Sequence, residues 1–178
     1  MKRHARGFTI LELLIFVLIV IALIAVPEFQ KYQTRSKTAE AVQNVARIAD
    51  GARAYYLSER ANKQGELLEK QFPSTIGPTP YKYACYGKQS VAHQPEQWRG
   101  SEHFGHESWQ SLQFSPSKPF RDIYTFESRG KGPAAMFSAR AEGDLDCDEH
   151  ISMFEHSADV DQNGRVDIRP IYRESELE

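Results

Sequence analysis

Between Gly7 and Pro27 every residue is apolar except Thr9 and Glu12. A leader carrying Lys2, Arg3 and Arg6 precedes this run. Built as a helix rising about 1.5 Å per residue, the run is long enough to cross the hydrocarbon core of a bilayer. No soluble fold accommodates such a segment at its surface, so it predicts a membrane-embedded or bundled helix. The single carboxylate near its start constrains the reading further. An ionisable side chain in hydrocarbon costs about 2.5–3.5 kcal/mol even on lenient scales, so Glu12 needs a partner.

Simpler roles suit the run less well. A secretory signal peptide needs small residues at a cleavage site after the run, and Val26-Pro27-Glu28 is a poor one. A lipoprotein needs an N-terminal cysteine, and a plain anchor needs neither Gly7-Phe8 nor Glu12. The stretch Gly7-Phe8-Thr9-Ile10-Leu11-Glu12, the apolar run and Pro27-Glu28-Phe29-Gln30-Lys31-Tyr32 together resemble the N-terminus of short-leader type IV prepilins. Residues Tyr32 to Tyr56, and the block Gln71-Phe72-Pro73-Ser74 through Pro80, are similar to pilin-like proteins of myxobacteria and their relatives.

The resemblance implies cleavage between Gly7 and Phe8 by a membrane aspartyl peptidase, and methylation of the new Phe8 amine. It implies assembly through Phe8 and Glu12, the Phe8 amine of one subunit pairing with Glu12 of another. A buried pair is tolerable where a lone buried charge is not. The fold implied is the pilin fold, an α+β arrangement with a long N-terminal helix packed on a roughly four-stranded antiparallel β-sheet. The function implied is that of a structural subunit, major or minor pilin, of a type IV pilus filament. Its partners would be further copies and other pilins, the prepilin peptidase and the inner-membrane assembly platform. It would be a single-pass inner-membrane protein before assembly and part of an extracellular pilus afterwards. The alternatives are a pseudopilin of a type II secretion system, or a membrane-anchored calcium- or surface-binding module that never polymerises.

The leader's positive charges should stay cytoplasmic, which sends the C-terminal bulk outward. Losing Lys2, Arg3 and Arg6 lowers the net charge from −2 to −5, no composition for nucleic-acid binding. An outward-facing domain favours pairing of its two cysteines, Cys85 and Cys147, as a disulfide. The alternative is two buried free thiols.

Along the chain, residues 1–7 form the leader and 8–57 one long helix, with 8–26 as the transmembrane or filament-core part. Beyond Pro27 apolar residues recur at Phe29, Tyr32, Ala39, Val42, Val45, Ala46, Ala49, Ala52 and Tyr56, with charges on the other faces. Residues 58–110, rich in Pro, Gly, Tyr and His, read as a long loop, with a short helical turn at 66–72. The aromatics Tyr81, Tyr83, Tyr86, Trp98, Phe104 and Trp109 either pack this loop or face a partner. Residues 111–178 read as the sheet and the disulfide region. Strands are expected around Leu112–Phe114, in a hairpin of Ile123–Phe126 with Met136–Ala141, at Ile151–Glu155, and near Val166–Ile168 or Ile171–Tyr172.

Two acidic stretches have the alternating oxygen pattern of calcium loops: Asp144, Asp146 and Asp148, and Asp159, Asp161, Asn163 and Asp167 with Gly164. The second lacks the terminal bidentate acid, since Pro170 stands there, and the first lacks the central glycine. Asp, Asn and Gly are also ordinary turn residues. Calcium is therefore a ligand the chain could take, while no cofactor is required. His103 and His106 with a neighbouring acid could hold zinc, though exposed loop histidines are far commoner. No catalytic constellation is found, and the chain does not read as an enzyme.

Overall fold

The computed structural model describes residues 9–99 and 106–175. Helix α1 spans Ile10–Leu57. Its lower half projects away from the rest of the molecule, and packing begins at Thr38. From there Ala41, Val45, Ile48, Ala49, Ala52 and Tyr56 are buried, at spacings of three and four that keep them on one face. Phe29, Tyr32 and Ala39, expected to share that face, are exposed. Phe29 and Tyr32 precede the packed part of the helix, while Ala39 lies within it but opens to the cleft beside Pro116–Pro119. The helix ends at Leu57, where Ser58 turns to an extended conformation and its N–H closes the last turn on the Ala54 carbonyl.

The sheet is antiparallel and six-stranded: β1 (Ile76–Thr79), β4 (Ile123–Arg129), β5 (Met136–Gly143), β6 (Ser152–Val160), β7 (Val166–Ile168) and β8 (Tyr172–Glu174). The order is β1-β4-β5-β6, with β7 and β8 sharing the outer edge of β6. A separate small hairpin joins β2 (Cys85–Tyr86) to β3 (Gln89–Ser90). Two short helices, α2 (Pro95–Arg99) and α3 (Glu107–Ser111), complete the head.

Among the described residues the sheet thus has six strands, where roughly four were expected. β1 is Ile-Gly-Pro-Thr, a composition that reads as loop because proline cannot donate to a ladder. It survives as an edge strand, where Pro78 and Pro80 also deny donors to a foreign strand. The strand expected at Leu112–Phe114 is absent: Leu112 caps α3, and both residues are buried through packing alone. The turn expected at 66–72 is not helical either; Ala61 and Leu67 form an isolated bridge there.

Strand β5 shows why the sheet binds the helix on one face only. Phe137, Ala139 and Ala141 are buried on the face towards α1, while Met136, Ser138, Arg140 and Glu142 lie on the other, more open face. Small residues on β5 meet small residues on α1, so helix and sheet approach closely. On the outer face Arg140 bridges Glu127 at 2.6 Å and Glu155 at 3.9 Å. These pairs are half-exposed and contribute little, about 0–1 kcal/mol each.

Beside the helix lies an aromatic cluster. Trp98 packs on Trp109, Phe114, Phe120 and Tyr124, with ring centroids 5.2–6.1 Å apart. Trp109 Nε1 donates to Thr79 Oγ1 at 3.2 Å, both groups being buried. The long loop between α1 and β4 is therefore held by its own aromatics. Tyr81, Tyr83 and Tyr86 instead stand exposed around the β2–β3 hairpin.

Candidate functional site

The lower half of α1 is the most unusual surface of the molecule. Large apolar side chains from Ile10 to Ile24 are exposed on every side, ranging from 38% at Val20 to 86% at Ile10. Soluble monomers rarely expose contiguous apolar patches beyond a few hundred Å². Larger exposed apolar patches mark protein–protein or membrane contact sites in general. No helix among the described residues is long and apolar enough to cross a membrane. Within residues 8–26 the described apolar side chains end at Ala25, and those of Phe8 and Val26 lie outside the described residues. The transmembrane segment expected over residues 8–26 is accordingly not shown by the structure.

Glu12 finds a partner within its own helix. Thr9 is the N-cap, and its Oγ1 accepts from the Glu12 N–H at 3.2 Å. In return Glu12 Oε2 accepts from the Thr9 N–H at 2.8 Å and from Thr9 Oγ1 at 3.0 Å. This is a capping box, which satisfies amide groups that the first turn leaves unpaired. Thr9-Ile10-Leu11-Glu12 carries its signature in sequence. One carboxylate oxygen takes both bonds from Thr9, and the other keeps capacity for a further donor. Gly7 and Phe8 lie outside the described residues.

Cys85 and Cys147 are joined, with 62 residues of separation and Cα atoms 5.7 Å apart. The bridge ties the β2–β3 hairpin to the loop between β5 and β6. Asp144 shapes that loop. Its Oδ1 accepts from the Cys147 and Asp148 N–H groups at 2.6 and 3.2 Å, and its Oδ2 accepts from the Glu149 N–H at 3.1 Å. The loop thereby holds Cys147 and Glu149 at positive φ, 63° and 76°. Asp144, Asp146 and Asp148 do place oxygens within 4.8 Å of one another, Asp144 buried and the other two exposed. The Asp144 carboxylate already serves the backbone, and acidic groups of this kind commonly gather without an ion.

The second acidic stretch forms the turn between β6 and β7. Asp161 Oδ1 accepts from the Asn163 and Arg165 N–H groups, each at 2.8 Å. The Arg165 N–H, more than any other group, holds the Asp161 carboxyl below its usual range. Asp159 faces Asp167 across the ladder and pairs with Arg169 at 2.9 Å. Asp159, Asp161 and Asp167 are not among the described triads whose ligand atoms converge within 4.8 Å. Here the Asp161 carboxylate serves the turn and the Asp159 carboxylate serves Arg169.

Among the described residues the histidines are dispersed. His106 caps α3, its Nδ1 accepting from the Ser108 N–H at 3.2 Å. His93 is buried against Phe120, and burial lowers its pKa. His103 lies outside the described residues.

No protein-family model matches the chain, and no solved structure matches it. The type IV major pilin protein PilA of Myxococcus xanthus (strain DK1622) is 36% identical to it over 84 residues. Those residues are 46% of this chain and 35% of that protein, so the match spans about a third of the relative's length. The chain is thus similar to a type IV pilin, and its architecture, an N-terminal helix with an antiparallel sheet, is compatible with a pilin fold.

Proposed function

We propose that the chain is a structural subunit of a type IV pilus filament, as a major or minor pilin. One observation carries this: a helix whose lower half is apolar all round and carries one carboxylate near its start, beneath a folded head. The similarity to a major pilin supports the same reading. In this reading the run from Phe8 to Val26 holds the subunit in the inner membrane with the head outside. A prepilin peptidase cuts after Gly7 and methylates the Phe8 amine. The platform protein then delivers the subunit to a filament in which the lower halves of many helices cover one another.

Glu12 has two tasks in this scheme. In the monomer it caps its own helix through Thr9. In the filament its remaining lone pairs accept the cationic amine of Phe8 from a neighbour, so neither charge is left alone in apolar surroundings. The chemistry of the chain is then assembly, with no substrate turned over. A pseudopilin would share these features, whereas a membrane-anchored binding module would need no cut at Gly7.

The processing step is tested by the intact mass of the chain recovered from its host. The expected mature chain begins at methylated Phe8, and Gly7→Val should retain the leader, because a side chain at the cut position obstructs cleavage. A chain that starts at Met1 in the wild type, or one cut after Val26, would contradict the proposal.

A further inference from the structure

The open face of the sheet, on the side away from α1, holds a cleft of about 590 Å³, a size usual for small-molecule sites. Strand register explains it. The outward positions of β4, β5 and β6 stand in cross-strand rows. Arg129, Met136 and Asp159 make one row, and Glu127, Ser138 and Ser157 make the next. Arg140 and Glu155 belong to the third. Two serines stand in the middle row where its neighbours carry long side chains, so the face is hollow there.

Two groups in the cleft lack a suitable partner within the protein. The Ser138 hydroxyl oxygen is buried and makes no hydrogen bond among the described residues. Such a group is costly to leave unpaired. Arg129, exposed at the rim, gives its Nε–H to Met136 Sδ at 2.8 Å, a weak and uncharged acceptor. Among the described residues no carboxylate lies within ion-pair distance of it. The other polar groups are engaged. Thr75 Oγ1 accepts from the Ser128 N–H at 3.0 Å, and Ser128 Oγ donates to the Pro73 carbonyl. Glu127 and Glu155 share Arg140, and Asp159 takes Arg169. The cleft is therefore polar along its length. Its Met136 end sets Arg129 and Arg169 against Asp159, and its other end sets Glu127 and Glu155 against Arg140.

We propose that this cleft binds an acidic saccharide, with the sugar carboxylate on Arg129 and ring hydroxyls on Ser138 and on the spare lone pairs of Glu127 and Glu155. A guanidinium takes a carboxylate through two parallel hydrogen bonds. A sugar hydroxyl both donates and accepts, so it satisfies a carboxylate oxygen and a serine alike. An extended peptide suits the cleft less well. It binds by adding to a sheet edge, and this is a sheet face whose backbone groups are already paired. Nucleic acid suits it less well again. Phe137, the aromatic residue that lines it, is 4% exposed and packed on Phe72 and Phe126, so bases find no ring to stack on. Three carboxylates would also repel successive phosphates, whereas a single acidic group can settle at the Arg129 end. This inference does not depend on the pilin reading.

The test is an NMR titration of the full chain in detergent micelles, read at the Arg129 Nε–H and at the Ser138 amide. The probes are digalacturonate, its neutral methyl ester, and acetate. Digalacturonate should shift both signals saturably. The ester should bind at least about tenfold more weakly, since it keeps the shape and loses the charge. Acetate should not saturate over the same range. Arg129→Ala should weaken digalacturonate at least about tenfold, Arg129→Lys should restore part of the loss, and Ser138→Ala should weaken it several-fold. Arg129 is exposed, so its variants keep the fold. No saturable shift with digalacturonate, equal binding of acid and ester, or binding unchanged in Arg129→Ala would each overturn the proposal. Acetate binding as tightly as digalacturonate would overturn the saccharide and leave a plain carboxylate site.

Discussion

Gly51→Ala is expected to destabilise the head by at least about 3 kcal/mol, more than most single-methyl changes. Gly51 sits on α1 where the helix meets Leu112, and a Cβ there would stand 2.1 Å from the Leu112 carbonyl oxygen and 2.9 Å from its carbonyl carbon. Both are backbone atoms, so no rotamer change relieves the clash. The helix must lift, or α3 and its Leu112 cap must move. Either motion disturbs Trp109, Leu112 and Phe114, which are 1–3% exposed. Alanine is the better helix former by about 1 kcal/mol, and the clash must exceed that gain. Gln43→Ala, on the exposed face of the same helix, should change little and serves as the control. Circular dichroism melts of the full chain in detergent measure both. Equal midpoints for wild type and Gly51→Ala would show that helix and loop do not approach so closely.

Loss of the disulfide should be about as costly. Closing a loop of 62 residues removes chain entropy from the unfolded state worth roughly 4 kcal/mol. The bridge also anchors the exposed Tyr81–Tyr86 lobe to the loop built around Asp144. Cys85→Ser and Cys147→Ser should each lower the melting midpoint by on the order of 10 °C, and the double variant should be no worse than either. Reductant should lower the wild-type midpoint and leave the double variant unmoved. A wild-type midpoint indifferent to reductant would show that the bond adds nothing to stability.

Where the sequence is periodic, the fold was legible in it. The spacing of Val45, Ala49, Ala52 and Tyr56 marks the buried face of α1, and alternation marks the β4–β5 hairpin. Below Thr38 the same spacing misleads, because periodicity reports an apolar face but not where the opposing surface begins. β1 was hidden by its prolines, and the full length of β6 by a polar stretch, His156-Ser157, that breaks its apolar alternation. Trp98 and Trp109 read as loop aromatics, although both are core residues, because long-range burial leaves no local pattern. Of the candidate site, Glu12 stands out by its charge alone. Thr9 is marked only by its spacing, three residues before Glu12, as a capping box requires. In the acidic turns, calcium coordination and backbone capping call for the same residues at nearly the same spacing.

The central claim is that the lower half of α1 builds a filament and that Glu12 admits the subunit to it. It is tested most directly by the ratio of this chain in sheared surface filaments to the chain in membranes, for wild type, Glu12→Ala and Glu12→Gln. Both variants should still enter the membrane and be cut after Gly7, since the run only becomes more apolar. Glu12→Ala should lower the ratio at least about tenfold, and Glu12→Gln nearly as much, because it keeps the shape and loses the charge. Equal ratios for all three chains would show that Glu12 does not pair with a neighbour's amine, and absence of the wild-type chain from filaments would contradict the filament reading itself.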